Sequence, residues 1–94
     1  MKILNINEVM EREILAKNDK ITMICFVFDE GKGLPNHTHN GMAVIQIISG
    51  TVNMNFADGR AAVLKSGDVF EFDARTQHNV IAAVLSKVVV TIIN

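Results

Sequence analysis

Residues 21 to 28, Ile-Thr-Met-Ile-Cys-Phe-Val-Phe, are almost uninterrupted in apolar character and rich in residues that favour extended backbone. Such a run suits a strand covered on both faces. Asp29, Gly31 and Gly33 then break it. A second apolar run covers residues 42 to 49 and closes at Ser49-Gly50. Beyond it, Thr51-Val52-Asn53-Met54-Asn55-Phe56 alternates polar and apolar side chains, the period of a strand with one face in solvent. Asp58-Gly59 follows as a hairpin turn, because both residues tolerate the positive φ that tight turns demand. Residues 61 to 64, 69 to 72, 79 to 85 and 87 to 93 read as further strands, divided by the turn residues Ser66-Gly67-Asp68 and by Ser86. Short strands at intervals of about ten residues predict a sandwich or barrel. One segment departs from this pattern. Over residues 7 to 17, Asn7 can cap, Glu8 falls in a first turn, and Val9, Met10 and Ile14 lie near helical spacing, which predicts a helical turn.

A chain of 94 residues allows one domain, 1–94, able to bury about two-thirds or less of its unfolded surface. Apolar residues make up 49% of it, more than an isolated molecule of this size can hide, so a homodimer is expected. Nine basic residues against ten acidic ones give a net charge of −1, and no lysine or arginine cluster can neutralise a run of phosphates. Nucleic acid is therefore excluded as an expected partner. Cys25 is alone in the apolar run Ile24-Cys25-Phe26-Val27, where a buried, unreactive thiol is expected. The start, Met1 to Asn7, turns polar too early for a signal peptide, and no apolar stretch approaches the roughly 18 residues of a membrane span. No membrane partner and a cytoplasmic location are the expectation.

The three histidines carry the candidate chemistry. His37 and His39 stand two apart in Pro35-Asn36-His37-Thr38-His39-Asn40-Gly41, and on a strand that spacing points both imidazoles to one side. His78, in Thr76-Gln77-His78-Asn79-Val80, remains to bring a third from elsewhere in the chain. Neutral imidazole is the commonest nitrogen ligand of divalent transition metals, and three with an open position describe a reactive rather than a closed centre. The expected site is thus one divalent transition metal (Fe, Mn, Ni, Cu or Zn) on His37, His39 and His78; cellular availability decides among these ions.

The glycine spacing around these histidines resembles the cupin family. That family's first motif runs Gly, five residues, His-x-His, three or four residues, Glu, six residues, Gly. Here Gly31, His37, His39 and Gly50 match, and Ala43 stands where most cupins carry a metal-binding glutamate. In the second motif Gly67 and His78 match, while Asp73, Arg75 and Ala82 replace its proline, second glycine and asparagine. The segments Ala43-Val44-Ile45-Gln46-Ile47-Ile48-Ser49-Gly50 and His78 to Ala82 are most similar to those of small stand-alone cupins. The resemblance implies a double-stranded β-helix, or jelly-roll, barrel in an all-β domain. In similar small cupins the N-terminal segment lies across a partner's barrel, which makes residues 1–17, with Ile3, Leu4, Ile6 and Val9, expected dimer contacts.

Three neutral ligands leave the full charge on a divalent cation, and the stronger Lewis acid can lower the pKa of a bound water from 15.7 toward about 7 or polarise an anionic substrate. Three-histidine cupins of similar ligand set include iron-dependent dioxygenases, so oxygenation of a small molecule is the chemistry the resemblance favours. No Asp, Glu or Lys in the two motifs is obviously aimed inward, and the chain has no tyrosine, which weighs against isomerase or lyase chemistry. The rival reading is a non-catalytic module that binds or senses a metal or small ligand. A third is a decayed metal site whose histidines survive in the core. Gln46, in mid-strand, falls on the face opposite Ala43 by simple alternation and is given a structural or interface role. Glu71 and Asp73 alternate with Phe70 and Phe72 and are read as solvated.

Overall fold

The computed structural model describes residues 2–94. A short 3-10 turn, Ile6–Glu8, leads into nine strands: β1 (Arg12–Lys17), β2 (Ile21–Phe28), β3 (Gly33–His37), β4 (Met42–Ser49), β5 (Thr51–Phe56), β6 (Ala61–Lys65), β7 (Val69–Asp73), β8 (His78–Ala82) and β9 (Ser86–Ile93). They form a five-stranded sheet in the order β1-β2-β9-β4-β7 and a four-stranded sheet in the order β3-β8-β5-β6, with every pairing antiparallel. The two sheets close on each other as a jelly-roll barrel.

Alternation along the strands sends one set of side chains between the sheets. Ala43, Ile45 and Ile47 of β4, Val52, Met54 and Phe56 of β5, Val80 and Ala82 of β8, and Val88 and Val90 of β9 meet there in one buried cluster. Each large side chain of this set removes apolar surface worth roughly 1.5–3 kcal/mol. The continuous apolar run of β2 is explained by its two faces. Phe26 and Phe28 turn inward, while Met23, Cys25 and Val27 turn outward and are covered by the N-terminal segment. There Val9, only 3% exposed, packs with Cys25 and Val89, and Ile6 and Leu15 flank it. The Lys87 ammonium donates to the Ile6 carbonyl at 2.8 Å and ties the turn down.

The helical turn expected over residues 7 to 17 is not formed. The 3-10 turn is shorter and earlier, capped by Asn5, whose Oδ1 accepts from the Asn7 N–H at 2.9 Å. Residues 12 to 17 instead pair with β2, with a register shift between Ile14 and Ala16 that accounts for the broken alternation of this segment. The ladder with β2 satisfies backbone groups that an isolated helical turn would leave to solvent. The hairpin at Asp58-Gly59 forms as expected, with Gly59 at φ 93° and Asp58 Oδ1 accepting from the Arg60 N–H.

β3, in which Pro35 follows Gly33 and Leu34, was not marked by the apolar pattern. Its pairing with β8 depends on close backbone approach. A Cβ at Gly33 would overlap the Val80 carbonyl, so glycine there lets the two strands meet. That meeting places the histidines.

Candidate metal and ligand site

His37 is the last residue of β3 and His78 the first of β8, and the two are register partners across the ladder. Their ring centroids lie 4.3 Å apart. His39 stands just beyond the end of β3, not within it, held by a hydrogen bond from its N–H to the Ala74 carbonyl at 2.9 Å. Its ring meets that of His37 edge-on at 5.5 Å. Strand alternation alone therefore does not place His39; the loop after β3 does. The third imidazole arrives from the strand directly paired with β3, forty residues later in the sequence only because β4 to β7 intervene.

Two of the rings have fixed tautomers. His37 Nδ1 donates to the Pro35 carbonyl at 2.7 Å, and His78 Nδ1 donates to the Thr76 carbonyl at 2.8 Å. A carbonyl only accepts, so the proton sits on Nδ1 and the lone pair on Nε2. Carbonyl bonds of this kind orient imidazole ligands in metal centres. His78 is 2% exposed and packs against Phe56 and Phe72. Burial lowers its pKa, with the Thr76 bond opposing and the His37 and His39 charges adding to the fall. Burial, and then the neighbouring His37, lower that of His39.

All three histidines line a cavity of about 350 Å³ between the sheets. Its remaining wall is almost wholly apolar, with Ile24 and Phe26 of β2, Ala43 and Ile45 of β4, Phe72, Val80, Val90 and Ile92 among the lining residues. Ala43, 1% exposed, faces into it, so a longer side chain at this position would enter the same space. Gln46 is exposed on the opposite face and takes no part. Glu71 is exposed as well, and Asp73 pairs with Arg75 at 2.7 Å, which holds its carboxyl down at about 2. No Asp, Glu or Lys lines the cavity among the described residues.

Imidazole donors around one largely apolar cavity suit a borderline divalent transition ion in chemistry. Among the described residues, no three or more His, Cys, Asp or Glu side chains already stand in the arrangement of a metal centre. The donor set is present, and the rings would have to turn to close on an ion.

A sequence comparison matches residues 25–93 to the Cupin_2 model, described as a cupin domain. The chain belongs to the cupin family. No curated protein matches it. Among solved structures, an RmlC-like cupin protein from Desulfovibrio desulfuricans is 26% identical with a TM-score of 0.86, covering 99% of this chain and 96% of that one. A conserved protein of unknown function from Streptococcus pyogenes shares the fold at 20% identity and a TM-score of 0.87, over 99% and 87% of the two chains. KdgF from Halomonas sp. does so at 24% identity and 0.78, over 87% and 77%. These likenesses establish the cupin barrel. No helix among the described residues is long and apolar enough to cross a membrane.

One lining residue of this cupin was not among the candidates. Arg12 of β1 reaches the cavity, with its guanidinium carbon 5.8 Å from the Phe26 ring centroid. Its segment read as helical, and only the β1–β2 register, which pairs Arg12 with the inward-facing Phe26, turns it to the barrel. The alternation of β2 carried the one signal that could have found it.

Proposed function

We propose that this cupin holds one divalent transition metal on His37, His39 and His78 and acts on a small molecule in the adjoining cavity, oxygenation being the favoured chemistry. The observation that carries the reading is the pair of Nδ1–carbonyl bonds, which leave His37 and His78 with free Nε2 lone pairs, side by side on one cavity wall. A bound ion would supply a Lewis acid undiluted by any carboxylate, since Ala43 occupies the position of the family's glutamate. The chain's own residues do the rest. The apolar wall fits a compact molecule, in the lower part of the range of small-ligand pockets, about 300–1,000 Å³.

A second reading, a non-catalytic module that binds or senses a metal or small ligand, is favoured by the lack of a carboxylate or lysine in the lining, which leaves the cavity without an evident proton-transfer group beyond the histidines themselves. We also place the chain in a homodimer in the cytoplasm, the exposed side chains of Ile3, Met10, Ile14 and Ile93 supporting the dimer.

Elemental analysis of protein purified without chelator or affinity tag, beside a His37→Ala, His39→Ala, His78→Ala triple variant, tests the metal. Near-stoichiometric iron, manganese, nickel, copper or zinc, lost in the variant, is the expected result. Wild-type protein that carries no metal and takes none up on titration would overturn it and leave a metal-free binding module. Turnover of candidate substrates by the loaded protein separates enzyme from binder.

A further inference from the structure

We infer that Arg12 is the anchoring residue for the anionic head of the cavity's ligand, and that the ligand is a small monocarboxylate with an apolar body. The inference rests on the small-molecule reading of the cavity; the metal is not required for it.

The chain has three arginines, and two are neutralised locally. Arg60 pairs with Asp58 at 2.8 Å and Arg75 with Asp73 at 2.7 Å. Arg12 has no carboxylate partner among the described residues. Its sequence neighbour Glu13 turns to the other face of β1, where its charge acts on Cys25. The Arg12 guanidinium lies instead against the Phe26 ring at the cavity, within the roughly 6 Å at which a cation and an aromatic face attract. The cavity thus holds one fixed positive charge, three imidazoles and no acid.

This composition selects the ligand class. A guanidinium presents two parallel N–H donors that match one carboxylate, so a single arginine suffices for a monocarboxylate. A phosphate group would leave oxygens unpaired here, because among the described residues Arg12 is the only fixed cation lining the cavity and most of the wall is aliphatic or aromatic. That apolar wall takes the rest of the molecule. A neutral ligand of the same shape would gain the wall and forgo the guanidinium.

Benzoate and its neutral counterpart benzamide are the probes, titrated calorimetrically into chelator-treated and zinc-loaded protein, as wild type, Arg12→Gln and Arg12→Lys. Arg12 is exposed on an edge strand, and a thermal melt of each variant verifies the fold. The expected result is wild-type preference for benzoate over benzamide by about tenfold, lost in Arg12→Gln and partly kept in Arg12→Lys, the strength of a hydrogen bond to a charged group. Equal affinity for the two probes, no affinity for either, or benzoate binding that Arg12→Gln leaves unchanged would overturn the inference. The zinc arm separates this outcome from failure of the metal reading. A preference that depends on Arg12 in protein taking up no zinc keeps the anchor and removes the metal. A preference that appears only with zinc and ignores Arg12→Gln removes the anchor and keeps the metal.

Discussion

Toward one end of the barrel Ile47 of β4 faces Val88 of β9 and Val52 of β5 faces Ala82 of β8, all at 2% exposure or less, and the space between the sheets is filled. Two and four residues further along β9, Val90 and Ile92 face Ile45 and Ala43 across the same ladder, and the space is a cavity of about 350 Å³. The strands, their alternation and their apolar character are continuous from one end to the other. What changes is volume and polarity. At the filled end branched side chains meet, and the buried hydroxyl of Ser86 accepts from the Thr51 N–H at 3.1 Å and donates to the Val84 carbonyl at 2.8 Å. At the hollow end Ala43 contributes only a methyl to a lining that also holds His37 and His78, whose Nδ1 atoms are bonded to the Pro35 and Thr76 carbonyls. Close packing is concentrated at one end of the barrel, and the candidate site lies at the other.

The largest expected effect breaks this comparison if it is wrong. Ile47→Ala should cost about 2–5 kcal/mol, because it leaves a closed void among well-packed neighbours. In a domain of this size that lowers Tm by more than about 10 °C. Ile92→Ala removes the same atoms at the hollow end, where the side chain is half-buried and its loss widens an open cavity, so about 1 kcal/mol is expected. Urea denaturation of the two variants decides the matter, and equal losses would show that the cavity wall is as tightly packed as the rest.

Ala43→Glu sharpens the contrast. In metal-free protein a carboxyl placed in this apolar wall should destabilise by about 1–3 kcal/mol, since the wall offers it few partners. Added zinc should reverse the loss and bind about tenfold more tightly than to wild type, the carboxylate taking off part of the ion's charge. Metal titration followed by thermal unfolding reads both. An unchanged zinc affinity would mean that position 43, although it lines the cavity, does not reach the imidazoles.

How much of this was readable in the residues differs between the ends as well. β2, β4 and β5 appear at the limits their apolar and alternating runs predict, because each has one face on a continuous core and pattern follows burial. β1 did not, since the shift between Ile14 and Ala16 breaks its period and an asparagine cap with an early glutamate imitates a helix start. β3 did not, because Gly33, Pro35 and Asn36 are turn residues in any local reading, and only contact with β8 makes the segment a strand. The histidines were legible as a set by residue type and glycine spacing. Their juxtaposition depends on the β3–β8 ladder, and Arg12 depends on the β1–β2 register, neither of which local sequence contains. Alternation says which side chains point inward; it does not say whether they fill the space they face.

The smallest expected effect is a pH dependence confined to the hollow end. In chelator-treated protein burial holds the pKa of His78 below its ordinary value of 6.5, and that of His39 likewise. Between the lowered folded values and 6.5 the unfolded chain binds more protons than the folded one, so stability should rise with pH across that window. It is fully present above 6.5, falls as pH drops below 6.5, and levels off once the folded histidines are protonated too. His78→Gln, which keeps a hydrogen-bonding group but not the titration, should flatten the fall more than His39→Gln, because His78 is buried and His39 is exposed. Denaturation midpoints measured through this range give the slopes. A decline as steep in His78→Gln as in wild type would place the acid sensitivity outside the cavity, whereas a shallower one would show that the hollow end of the barrel is also where protons act on the fold.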